Sequence, residues 1–185
     1  MHRSRSSLML AAVGALALSA ATALPARNPM VGGAAMYSTR NIVQNAVNSK
    51  DHTTLVAAVK AAGLVATLSG TGPFTVFAPT NAAFAKLPAG TVDTLVKPEN
   101  KGMLTNILTY HVVPGRITAG KIAALAARNR GTATLKTVQG ENLRFRKSGR
   151  GWIVVDAKGG KSRITIANVM QSNGVIHVID TVLMP

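Results

Sequence analysis

From Thr132 onward apolar residues recur at every second position, whereas most of the chain before it carries them at the three-to-four spacing of helices. This change of period restricts the chain to an α+β fold, with helices first and short strands afterwards. "NIVQNAVNS" (41–49) puts Ile42, Val43, Ala46 and Val47 at helical spacing, and "TTLVAAVKAAGLVATL" (53–68) repeats the pattern with Leu55, Val56, Val59 and Leu64. Asp51 or Thr53 is expected to cap the second helix, and Gly63 to interrupt it. "KGMLTNILTYHVVPG" (101–115) predicts a longer helix carrying Met103, Leu104, Ile107, Leu108 and His111, closed by Pro114-Gly115; "TAGKIAALAAR" (118–128) predicts another, capped by Thr118. After the change, "TATLKTV", "NLRFR", "WIVVDA", "RITIANV" and "VIHVID" alternate between two faces and are separated by glycine-containing turns, the spacing of an antiparallel meander.

Between the helices lies "GPFTVFAPTNAAFAKLP" (72–88). Phe74, Val76 and Ala78 alternate with Thr75 and Phe77, which predicts a strand, and Pro79 ends it because proline has no amide to donate to a ladder. Thr80 or Asn81 then offers a side-chain oxygen to the free amides of a helical turn, and Phe84 folds back into the core.

The first 26 residues read as a signal peptide. Arg3 and Arg5 precede the uncharged run Leu8 to Ala23, which ends in small residues, so cleavage is expected near Ala23 or Ala26. At 16 residues the run is short for a membrane span. Residues 27–39, rich in proline and glycine and without a sustained period, are expected to be a flexible tether, with the folded domain over 40–185. The sequence contains no cysteine, which excludes disulfides, thiol chemistry and cysteine metal sites.

Charge is lopsided. Without Arg3 and Arg5 there are 19 basic side chains against 6 acidic ones, and 12 of the basic residues lie between Arg116 and Arg163, where only Glu141 and Asp156 oppose them. Such a field attracts polyanions, or else forms a solubilising face. Arg144, Arg146, Lys147, Arg150, Lys158, Lys161 and Arg163 are the candidate polyanion contacts.

Three segments carry a family resemblance. "GPFTVFAPTNAAFAKLP" resembles the first signature of fasciclin-like (FAS1) domains, "SNGVIHVIDTVLMP" (172–185) resembles the second, and Tyr110-His111 in "LTYHVVPG" resembles the tyrosine-histidine element between them. The likeness covers about residues 37–185 and matches the single-domain secreted bacterial type. It implies a helical half packed on a β-sandwich-like wedge of short, mainly antiparallel strands, in a family tied to adhesion and matrix contact, with no shared catalytic machinery. Tyr110 and His111 are then the candidate partner contact, and Thr80, Asn81, Phe84, His177 and Asp180 the structural residues of the motifs. The expected partners are extracellular or envelope polymers, acidic polysaccharide among them, and a protein adhesion partner, met in secreted, periplasmic or cell-surface form.

No cofactor, metal or catalytic site is expected. His52, His111 and His177 are more than four residues from one another, so no local metal pair arises. "KGGKS" (158–162) lacks the leading glycine of a P-loop and reads as a hairpin turn. A catalytic reading requires His111, Thr80 and Asp180 to converge in a pocket. Sequence-specific nucleic-acid reading lacks its stacking aromatics, since Phe145 and Trp152 stand nearly alone in the basic region.

Overall fold

The structure, a computed structural model, describes residues 28–185, so the expected signal peptide over 1–26 lies outside the described residues. Two short 3₁₀ helices (Lys50–His52 and Pro98–Asn100) and seven α-helices are present in this range: α1 (Ile42–Ala46), α2 (Thr53–Ala62), α3 (Val65–Ser69), α4 (Asn81–Ala85), α5 (Thr91–Leu95), α6 (Lys101–Tyr110) and α7 (Ala119–Arg128). Nine strands complete the order: β1 (Met30–Val31), β2 (Ala34–Ala35), β3 (Phe74–Pro79), β4 (Val112–Pro114), β5 (Thr132–Lys136), β6 (Asn142–Ser148), β7 (Gly151–Val155), β8 (Lys161–Gln171) and β9 (Gly174–Ile179).

The α+β expectation holds. Strands β5 to β9 form the antiparallel meander, and β3 joins it on the far side of β9, giving one seven-stranded sheet in the order β4-β3-β9-β8-β7-β6-β5. One pairing departs from the antiparallel pattern: β3 runs parallel to β9 over six residues, Phe74 opposite Gly174 through Pro79 opposite Ile179. Alternation identifies a strand but not its neighbour, so this pairing has no local signal. The long β8 bends between two partners, with Lys161 to Arg163 against β7 and Ile164 to Gln171 against β9, and its register shifts around residues 164–169. Beyond β5 the chain returns to the opposite edge, where the Val138 amide donates to the Val112 carbonyl at 2.8 Å.

The two faces of the sheet's centre serve two cores. Val76 and Ala78 of β3 and Ile176 and Val178 of β9 face α1, α2, α3 and α6, packing with Leu55, Leu104 and Leu108. Phe77 and Ile179 point the other way, toward Ile122 of α7 and Leu143, Phe145 and Val154 of the meander. Phe77 and Phe145 are fully buried with ring centroids 5.2 Å apart, a pairing worth about 1 kcal/mol beyond the area it removes from water.

Three local expectations are corrected. Residues 27–39 are not a tether where they are described: β1 and β2 pair through a two-residue turn at Gly32 and Gly33, whose φ values of +56° and +76° suit glycine, and Val31 and Met36 are buried in the helical core. So short a hairpin leaves no readable period. The helix begun at Lys101 stops at Tyr110, and Val112–Pro114 is instead strand β4, paired with β3; Met103 faces solvent at 60% exposure. Neither Asp51 nor Thr53 caps α2, whose N-terminus is served from another segment, described below.

Elsewhere the caps are local. Asn41 and Gln44 form a reciprocal capping box on α1: the Asn41 side-chain Oδ1 accepts from the Gln44 amide at 2.8 Å, and Gln44 Oε1 accepts from the Asn41 amide at 3.0 Å. Thr118 caps α7, and Gly63 ends α2 with φ +74°, a conformation open to glycine.

Candidate functional site

The corner at 79–84 fastens three elements together. Thr80 Oγ1 accepts from the Ala83 amide at 3.2 Å and so caps α4. Asn81 instead reaches back to α2: its Oδ1 accepts from the Thr54 amide at 3.1 Å and the Thr53 hydroxyl at 3.2 Å, while its Nδ2 donates to the Lys50 carbonyl at 2.8 Å. A helix 27 residues earlier thus receives its missing cap across space. Phe84 is buried in the helical core.

Tyr110 and His111, the candidate partner contact, are interior residues with 0% and 2% exposure, which corrects that expectation. They sit where α6 gives way to β4, and the first turn past a helix end is where free carbonyls need donors. The Tyr110 hydroxyl donates to the Asn142 carbonyl at 3.3 Å and accepts from the Ala157 amide at 2.8 Å, tying α6 to the meander. His111 Nδ1 donates to the Ile107 carbonyl at 2.8 Å, which leaves Nε2 to accept from the Leu183 amide at 3.0 Å. Burial pushes the His111 imidazole down to about 4, against the weaker upward pull of the Ile107 carbonyl and Asp156. The ring is therefore neutral at pH 7, with its tautomer fixed by its two partners.

His177 is equally enclosed. It stacks on Phe77 at 5.4 Å, Nε2 donates to the Ile117 carbonyl at 2.8 Å, and Nδ1 accepts from the Asn168 amide at 3.4 Å. Burial lowers its pKa as well, and that of His52, whose Nδ1 lies 2.8 Å from Ser49 Oγ.

Asp180 accepts at Oδ1 from the Arg163 amide at 2.8 Å and from the Ser162 and Thr181 hydroxyls. Partial burial pushes its carboxyl up, but these donors together with Lys86 outweigh that and hold it below the usual value. Its 4.0 Å contact with Lys86 is the one ion pair among the described residues, and both partners are too exposed for it to contribute much. His111, Thr80 and Asp180 each spend their polar atoms on neighbouring backbone or hydroxyls, so no catalytic constellation forms from them. No group of three or more histidine or acidic residues able to hold a metal occurs among the described residues.

Sequence reasoning missed two buried polar residues that do the same work. Asn173 accepts from the Ile42 amide at 3.0 Å and donates to the Leu68 and Gly70 carbonyls, each at 2.8 Å, joining α1, α3 and the second signature. Asp156, 3% exposed, accepts from the Gly160 amide at 2.6 Å and the Met184 amide at 3.1 Å, so it shapes the β7–β8 turn and holds the last residues down. The only sequence signal for Asp156 was its place at a strand end before a glycine pair.

The basic residues behave in the opposite way. Arg144, Arg146, Lys161 and Arg163 are exposed on the outer face of β6 and β8, and none makes an ion pair among the described residues. Lys147 stands opposite Trp152, while Arg150 and Lys158 lie in the turns at opposite ends of β7. The predicted seven are therefore one face and its margins, not a single cluster.

Comparison with known proteins agrees with this geometry. The family model described as "Fasciclin domain" matches residues 50–185. The chain is 49% identical over 160 residues to protein sll1483 of Synechocystis, covering 86% of this chain and 81% of that one. It is 35% identical to the immunogenic protein MPB70 of Mycobacterium bovis, covering 95% and 93% of the two chains. Among solved structures, the FAS1 domain pair of the insect cell adhesion molecule Fasciclin I superposes with a TM-score of 0.69 at 19% identity, covering 79% of this chain and about half, 51%, of that one. No helix among the described residues is long and apolar enough to cross a membrane.

Proposed function

The chain belongs to the fasciclin domain family, whose members are non-catalytic and adhesion-related, and from that premise we propose that it is a secreted or cell-surface binding module which contacts matrix, envelope polymers or other cells through its outer surface. One observation carries this reading: the polar side chains of both signature segments and of the Tyr110-His111 element are consumed by the fold's own backbone, leaving the exterior for recognition. Deleting the gene and measuring aggregation and surface attachment of the cells tests it. Reduced attachment restored by the intact gene is the expected result, and unchanged attachment in every condition rejects it.

A second reading has its own support. The basic region acts as a receptor for polyanions, whether acidic polysaccharide, lipopolysaccharide phosphate or extracellular DNA, because the exposed cations of β6 and β8 are not neutralised by acidic partners. Its signature is affinity that falls steeply with added salt, as bound polyanions release counterions.

A further inference from the structure

The register of the meander aligns four cations around an apolar strip. On β6, Leu143 and Phe145 point into the core and Arg144 and Arg146 point out; on β7, Val154 points in and Ile153 and Val155 point out; on β8, Ser162 and Ile164 point in and Lys161 and Arg163 point out. Pairing places Arg144, Val155 and Lys161 in one row across the sheet, and Arg146, Ile153 and Arg163 in the next. The rows are about 7 Å apart along each strand, and the flanking strands roughly 10 Å apart across β7. Because arginine and lysine are longer than valine and isoleucine, the cations form walls and the β7 side chains a recessed floor. A concave space of about 400 Å³ lies there: Arg144, Arg146, Ile153, Val155 and Lys161 line it together with Lys147 and Ser148, and Arg163 stands outside that lining, beside Ile153 in the second row.

We propose that this trough is a binding site for a linear acidic polysaccharide lying along β7, its carboxylates drawn to Arg144, Arg146, Lys161 and Arg163 and the C–H face of its sugar rings resting on Ile153 and Val155. This rests on the polyanion reading above and narrows it to one face and one class of partner. Charge complementarity selects an anion, and the planar guanidinium forks of the three arginines match carboxylates in paired hydrogen bonds. Other anionic partners fit the face less well. A single-stranded nucleic acid needs aromatic platforms for its bases, and Trp152 packs on the inner side with Val154. A membrane needs apolar or aromatic residues in the lead, whereas Ile153 and Val155 lie beneath the charged side chains. An acidic peptide in extended form gains most from a free strand edge, and all three strands here are interior to the sheet.

The test uses the full chain and polygalacturonic acid, with dextran as the neutral control and phosphatidylglycerol vesicles and oligo-dT as the competing anionic surfaces. Affinity is measured at 50 and 200 mM salt for the wild type, for the triple variant Arg144→Gln/Arg146→Gln/Lys161→Gln, and for Lys60→Gln/Lys97→Gln/Lys101→Gln on the helical half. Four neutralised charges give a loss of roughly 50-fold across this salt range, and one remaining charge only about threefold. The proposal expects the first behaviour from the wild type and the helical-half variant, the second from the trough variant, and no binding to dextran. Equal behaviour of the two variants overturns the trough while leaving polyanion binding intact. Preference for vesicles or oligo-dT over polygalacturonate overturns the polysaccharide assignment alone. Absence of wild-type binding to any of the three anionic probes at 50 mM salt overturns both readings. Thermal midpoints of the variants matching the wild type show that the outcome reports binding, not folding.

Discussion

The two signature segments and the outer face of β6, β7 and β8 use polar residues in opposite ways. In the signatures Thr80, Asn81, His177 and Asp180 each meet backbone groups, and Asn173 alone satisfies an amide and two carbonyls from two other elements. On the outer face four cations stand exposed with no acidic partner. Motif residues in this domain hold the backbone together, and the residues free to meet another molecule lie where no motif is recognised.

If that division is correct, substitutions in the signatures cost stability and leave surface binding intact, and those on the face do the reverse. The largest effect is expected at Asn173→Ala, which strands the Ile42 amide and two carbonyls; a loss of about 4 kcal/mol, measured by urea denaturation, follows from two buried groups and one half-buried group left unmet. A loss under 1 kcal/mol would break the comparison at its strongest point.

Next comes acid sensitivity. His111 has a folded value of about 4, below the ordinary 6.5, so as pH falls the unfolded chain takes up its proton first. Its contribution is complete above about pH 6.5, is lost between 6.5 and 4, and amounts to about 3 kcal/mol across that window. His177 and His52 shift in the same direction and deepen the loss. Denaturation curves at pH 7, 5.5 and 4.5 should show this slope, and His111→Gln should flatten it.

Asn81→Ala removes the cap that α2 receives across space and should cost about 1.5 kcal/mol, more than the roughly 1 kcal/mol of Thr80→Ala at its purely local cap. Thermal midpoints order the two. The smallest change in stability belongs to the face: Arg144→Gln should stay within about 0.5 kcal/mol of the wild type, with its effect confined to polyanion affinity.

Much of the architecture was legible because it is local. The switch of period at Thr132 gives the α+β class, the strand ended by Pro79 follows from its missing amide, and the Thr118 cap follows from residue type. What escaped is what depends on distance in the chain. The β1–β2 hairpin is too short for a period, yet it inserts Val31 and Met36 into the core. The partner of Asn81 lies 27 residues back, and that of His111 lies 72 residues ahead, so their roles cannot be seen from their neighbours. Tyr110 and His111 look like an accessible helix end until the last residues and the β7–β8 turn close over them. The outer face, by contrast, was visible as charge but not as a shape, because a count of arginines does not reveal which share a row until the strands are paired.

The parallel contact of β3 with β9 joins positions 100 residues apart, Phe74 with Gly174. During synthesis the early helices therefore emerge without the strand that completes the floor beneath them. Val76 and Ala78 wait for Ile176 and Val178, so closing the helical core depends on a contact of long sequence separation, which is slow to form.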